Sequence, residues 1–195
     1  MHELIVKDGF VFYVDPVRFD DTGTYLQSAY DPTTRIDNAV RVTVDELPPF
    51  FAPLKWSYEA GSLTPSEAYA EEITALVKEA KIAEIRAAFT AAEANGYVES
   101  SLGFRIDATR RSIEDIDGLI DLVSSGALPA PVTFRDYDNV YHSLTLDQLN
   151  ILRLEAKGRG PVLYARKWEL EAAVEAAETM EAVQAVDAGA GWPGV

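Results

Sequence analysis

Residues 97–126 read YVESSLGFRIDATRRSIEDIDGLIDLVSSG, and their order of apolar runs, turn residues and helical spacing sets the fold class. Tyr97-Val98 and Gly103-Phe104-Arg105-Ile106 are short apolar runs around a Ser-Ser-Leu-Gly turn, the pattern of a β-hairpin. Ile113, Ile116, Ile120 and Val123 then recur at spacings of three and four, one face of a helix that Ser124-Ser125-Gly126 ends. The same order returns at once. Val132-Thr133-Phe134-Arg135 and Val140-Tyr141-His142-Ser143 flank Asp136-Tyr137-Asp138-Asn139, whose Asp and Asn supply turn chemistry. Thr145-Leu146-Asp147-Gln148 is a capping box opening a helix with Leu149, Leu152 and Ala156 on one side. Two successive ββα units, 97–124 and 132–156, predict an α+β fold.

Toward the C-terminus, Lys157-Gly158-Arg159-Gly160-Pro161 interrupts that helix with two glycines and a proline, costing about 1 kcal/mol per Gly and 3 for Pro. A break is expected there. The helix resumes through Leu163, Trp168, Leu170 and Val174, and Glu178-Thr179 caps a last short helix to Asp187. The tail from Ala188 to Val195 is non-helical.

Toward the N-terminus, Ala-rich sequence ending at Asn95-Gly96 carries Ile82, Ile85, Phe89 and Ala92 on one helical face. Thr64-Pro65-Ser66-Glu67 reads as its start, with Thr64 as N-cap, Pro65 at the first helical position and Glu67 closing a capping box. The first sixty residues read as β structure. Asp8-Gly9 between Leu4-Ile5-Val6-Lys7 and Phe10-Val11-Phe12-Tyr13-Val14 predicts a type I′ hairpin, and Val40, Val42 and Val44 alternate as in a half-buried strand beyond a polar stretch, Asp15 to Asn38. Pro48-Pro49-Phe50-Phe51-Ala52-Pro53 reads as a stiff extended connector. The domains are therefore placed at 1–62, β-rich, and 63–195, α+β.

Charge and composition narrow the partners. The chain is 48% hydrophobic and 25% charged, the balance of a globular protein, with 32 acidic against 17 basic residues and a net charge of −15. Such a surface repels phosphates and anionic headgroups, so neither nucleic acid nor a membrane is expected as partner. No signal peptide or long apolar run is read. The absence of cysteine removes disulfides, thiolate zinc sites and Cys nucleophiles.

No catalytic, cofactor-binding or metal residue is assigned. His2 is terminal and His142 stands alone in a strand, so neither a His-pair metal site nor a paired His catalytic system can be written. Asp136, Asp138 and Asn139 resemble the start of a calcium loop, but Val140 and Tyr141 occupy the fifth liganding position and the required Gly. Gly189-Ala190-Gly191-Trp192-Pro193-Gly194 spells a dinucleotide fingerprint with no helix after it. Asp115/Asp117 and Glu171/Glu175 read as solvated helix faces, and Arg110-Arg111 and Lys157/Arg159 as solvent pairs or contacts to an acidic neighbour. Four residues are candidates for partner binding: Trp192 and Pro193 in the tail, and Phe50 and Phe51 beside the prolines. Trp192 has two readings, an interface anchor or a side chain folded back on its own domain; Phe50 and Phe51 have packing between the domains as theirs.

From about Lys81 to Pro193 the chain resembles a domain family of formally unknown function that recurs in tailed-phage and prophage genomes, beside or fused to tail-fibre genes. Its members are often called tail-fibre assembly proteins. The resemblance rests on the Lys81-Ile82 helix ending in Gly96, Gly103-Phe104-Arg105-Ile106-Asp107, the Asp138-Asn139 turn, Leu144-Thr145, Glu178-Thr179, Val186-Asp187 and Gly191-Trp192-Pro193. It implies a non-enzymatic tail protein that engages a tail-fibre or baseplate protein, as fibre-assembly chaperone or virion component, in the host cytoplasm during assembly or in the virion tail. A homo-oligomer is compatible with it. The alternatives are a tail-associated polysaccharide-degrading enzyme using a carboxylate pair and a structural baseplate adaptor.

Overall fold

The computed structural model describes residues 1–14 and 40–194, together with three strand pairs of residues at 18–19, 25–26 and 35–36. Side chains are described for 1–11 and 40–194. The fold is α+β, and the chain divides into two compact units, Met1–Leu76 and Val77–Val195.

In the first unit, β1 (His2–Lys7) and β2 (Phe10–Val14) form the expected hairpin, with Asp8 at φ 53° and Gly9 at φ 82° as a type I′ turn requires. Three short strands, β3 (Arg18–Phe19), β4 (Tyr25–Leu26) and β5 (Arg35–Ile36), pair antiparallel in that order. The rest of the polar stretch from Asp15 to Asn38 lies outside the described residues. β6 (Val40–Val44) pairs with β1, and Val42 and Val44 pack with Leu4, Val6 and Val11. β7 (Trp56–Glu59) and β8 (Ser62–Pro65) complete a sheet in the order β6-β1-β2-β7-β8.

Two local expectations give way here. The proline segment is not an extended connector: the N–H of Phe51 donates to the carbonyl of Pro48 and that of Lys55 to Ala52, closing two turns in which Phe50 (φ 60°) and Leu54 (φ 67°) take the left-handed conformation. These turns fold Phe51 onto the sheet core instead of holding it away. Thr64 and Pro65 are not a helix cap either. They belong to β8, opposite Ser57 and Trp56, because pairing satisfies their backbone groups across four residues where a cap would satisfy one or two. The 62/63 position falls inside this strand.

Helix α1 (Glu67–Ala94) follows, its first turn accepted by the carbonyl of Ser66, and it spans the junction of the two units. In the second unit β9 (Tyr97–Glu99) pairs with β10 (Arg105–Asp107), and α2 (Arg110–Ser124) begins at Thr109, whose hydroxyl accepts from the N–H of Ser112. β11 (Val132–Arg135) pairs with β12 (Tyr141–Leu144). Both ββα units are thus present. Their core is Ile106, Ile116, Ile120, Val132, Leu144, Leu149 and Leu152.

Helix α3 (Leu146–Ala176) opens on the Thr145/Gln148 capping box and runs without interruption through Pro161. The expected break is absent. Pro161 leaves the Lys157 carbonyl without its helical donor, and both residues lie on the exposed side of the helix. On the other side, Ala156, Arg159 and Leu163 are buried, and this packing sustains the helix across the proline. α4 (Met180–Gln184) is capped by Thr179 and buries Val183; it ends before Asp187.

Candidate interaction surface

Helix α3 is apolar on two sides. Leu149, Leu152, Ala156, Arg159, Leu163, Leu170 and Val174 form the buried face. On the far side Leu154, Gly158, Pro161, Ala165, Trp168 and Ala172 recur at spacings of four and three and are all exposed. At 100° per residue these six fall within roughly 80° of arc, with no charged residue among them. Leu154 is 66% exposed, Val162 beside the stripe 54%, and Trp168 61%. Leu154 and Trp168 on this side are large apolar side chains left open to solvent, and an exposed apolar patch marks an interaction site.

The stripe is braced from the core. Trp192 meets Phe89 edge-on at 6.0 Å between ring centroids, Phe89 meets Tyr164 at 5.0 Å, and Tyr164 meets Trp168 at 5.7 Å. This ladder of four rings runs from the interior to the exposed end of the stripe and restricts Trp168, the kind of rigid aromatic that anchors an interface.

The tail residues read as candidates for partner binding pack on the second unit. Trp192 is half-buried against Phe89, Ala92 and Leu163, and its Nε1–H donates to the carbonyl of Ala188 at 2.9 Å. It therefore takes the second of its two readings, folded back on its own unit. Backbone groups hold it there: Arg166 Nη2 donates to Ala190 O, Arg159 Nε to Pro193 O, and Tyr97 N–H to Gly194 O. Phe51 is half-buried beside Trp56 in the first unit's core. Of the four candidates Phe50 is the most open, at 47% exposure, and its carbonyl accepts from the hydroxyl of Tyr69. From sequence, Trp168 falls on the resuming helix beside Leu163, Leu170 and Val174; the four-three spacing from Leu154 to Ala172, which only a continuous helix brings to one side, is the signal that separates it from them.

His142 and Asp136 form a local pair, not a lone histidine and a free turn. His142 Nε2 lies 2.7 Å from Asp136 Oδ2, the N–H of Val140 donates to Oδ1, and Phe104 stacks on the imidazole at 3.9 Å. Burial pushes the Asp136 carboxyl up, but the hydrogen bonds from His142 and Val140 outweigh it and hold the group below its ordinary range. Asp138 pairs with Arg105, which lies over the rings of Tyr97 and Tyr137. These groups brace the β11–β12 turn against β10. Among the described residues no cluster of three His, Asp or Glu side chains is placed to hold a metal.

Of the carboxylate pairs, Asp117 is held by Lys157 and Arg153, and Glu171 by Arg86 and Lys167. The two basic clusters meet: Arg110, Arg111, Lys157 and Arg159 line one open groove of about 800 Å³ whose floor includes Ala108, Ala156 and Leu163. Among the described residues no helix is long and apolar enough to cross a membrane.

Residues 76–190, more than half of the chain, match the family described as a domain of unknown function, DUF4376, and the chain belongs to that family. No curated protein and no solved structure matches it.

Proposed function

We propose that this DUF4376 protein is a non-enzymatic bacteriophage tail protein that works by binding other proteins, engaging a tail-fibre or baseplate protein as an assembly chaperone or as a retained tail component. The observation that carries the protein-binding role is the exposed apolar stripe of α3, with Trp168 braced at its end. A net charge of −15 disfavours nucleic acid and anionic membranes as alternatives. The resemblance of residues 81–193 to tail-fibre-associated domains supplies the partner class.

Co-expression with the fibre protein of the same genome tests the reading. The expected result is stoichiometric co-purification and a higher yield of soluble fibre. A fibre that folds and purifies equally well alone, with no retention of this chain, counts against it. Mass spectrometry of purified particles separates the two roles, since a chaperone is absent from the virion and a tail component is present.

A further inference from the structure

We propose that the outer face of α3 is closed by the α3 of a second copy of this chain, running antiparallel about a two-fold axis beside residue 163. The inference rests on the reading of that face as a protein interface.

The stripe is complementary to itself in this register and in no parallel one. In an antiparallel helix pair, positions at alternate steps of the seam face one another across the axis. Leu154 then faces the partner's Ala172, Gly158 faces the partner's Trp168, and Pro161 faces the partner's Ala165, so every layer sets a larger residue against a smaller one. The space above Gly158 is open, with nothing within 4 Å of where a Cβ would stand, and so forms a notch for the indole. Parallel pairing would instead stack Trp168 on Trp168 and leave Gly158 facing Gly158 across a void.

The margins agree. Val162 comes near the partner's Val162 and Tyr164 near the partner's Tyr164, while Lys157 and the partner's Glu171 share a margin with each engaged in its own chain, Lys157 by Asp117 and Glu171 by Arg86 and Lys167. Glu155 and the partner's Glu169 share a margin, but each is already engaged in its own chain, Glu155 by Ser100 Oγ at 2.6 Å and Ser101 N–H at 3.0 Å, Glu169 by Arg166 at 2.9 Å. Leu154, Val162, Tyr164 and Trp168, open to 66%, 54%, 43% and 61%, supply the apolar surface that such a pair buries. With the seam uncharged and the remaining surface strongly acidic, added salt screens repulsion between copies and strengthens the dimer.

The absence of cysteine from the chain makes the test direct. Light scattering during gel filtration at tens of micromolar should give twice the chain mass of 21.4 kDa. Trp168→Glu and Leu154→Glu, both at exposed positions, should each weaken association at least thirtyfold with unchanged circular dichroism. Under mild oxidation Leu154→Cys alone and Ala172→Cys alone should stay unlinked, and their equimolar mixture should form a disulfide-linked pair. A monomer at that concentration overturns the proposal, as do homotypic links in each single variant, which denote parallel pairing. Adding the co-expressed fibre protein separates the two readings. A monomer whose fibre binding is lost in Trp168→Glu gives the face to the fibre and leaves the functional reading standing; a linked dimer that binds no fibre supports the dimer and removes that reading.

Discussion

The guanidinium of Arg159, in the middle of α3, donates from Nη2 to the carbonyl of Ala92 at 2.7 Å, in the last turn of α1. That turn contains no basic residue of its own, so a neighbouring helix supplies the cation and donor that its free carbonyls lack. The same group donates from Nε to Pro193 O at 3.0 Å, and Gly96 leaves room for it, since a Cβ there would overlap the guanidinium. Burial pushes the Arg159 pKa down while Glu93 pulls it up, and the group remains a cation at neutral pH. Arg159→Met keeps the apolar stem and leaves both carbonyls without this donor, so it should cost about 3 kcal/mol in urea unfolding. Arg159→Lys, unable to serve two carbonyls in fixed geometry, should fall between methionine and wild type. Equal stability of all three would show that these bonds contribute nothing.

Trp192→Ala should act on folding, not on binding. The indole covers Phe89, Ala92 and Leu163 while remaining half-exposed, so its loss should cost about 2 kcal/mol, less than the 3–5 of a fully buried Trp, and lower the melting temperature by several degrees. Gly194→Ala should free the same tail by another route, because a Cβ there would run into the carbonyl of Tyr97 while φ is +65°. Calorimetry of both variants, with fibre co-purification beside it, checks this. Unchanged melting with lost fibre binding would return Trp192 to the role of partner anchor.

What the sequence disclosed follows from the range of each interaction. The Asp8-Gly9 turn and the Thr145/Gln148 box are decided within four residues and were legible, as was the ββα order. Thr64-Pro65-Ser66-Glu67 carries an equally good local signal, yet the ladder between β7 and β8 claims Thr64 and Pro65. Pro161 misleads in the opposite sense: its local cost is real, but packing of Ala156, Arg159 and Leu163 on either side sustains the helix. Trp192 is placed by hydrogen bonds to its flanking backbone from residues more than twenty positions away, which no local pattern encodes. The outer stripe of α3 lay in plain view at its four-three spacing, hidden only by the expectation of a break.

Acid should unfold the protein partly through Asp136 and Glu155. In both, burial raises the pKa, and hydrogen bonds reverse it to a net lowering: from His142 and Val140 at Asp136, and from Ser100 and Ser101 at Glu155. A carboxyl with a lower pKa folded than unfolded contributes stability that is complete above its unfolded value, about 4, and is lost as pH falls through the folded one. Urea midpoints should therefore hold from pH 7 to about 5 as far as these groups are concerned, then fall toward pH 2.5. Asp136→Asn should be less stable at pH 6 and lose less on acidification. A variant whose acid slope equals that of wild type would exclude Asp136 as a contributor.

Pro161→Ala should stabilise the chain. Proline in a helix interior costs about 3 kcal/mol relative to alanine, and here it sits on the exposed side of α3, where packing does not oppose its removal. Alanine restores the N–H that bonds the Lys157 carbonyl and removes the clash of the ring with it, so a gain of about 1–2 kcal/mol is expected, seen as a higher melting temperature with little change in helical circular dichroism. The substitution also separates two demands on one residue. In the antiparallel pair, Pro161 is the larger member of a layer whose other member is the partner's Ala165, and an alanine there leaves a gap. Pro161→Ala should thus melt later as an isolated chain yet associate more weakly, with the two effects read by calorimetry at low concentration and by sedimentation at high concentration. A variant that neither gains stability nor weakens association would show that Pro161 matters neither to the helix nor to the seam.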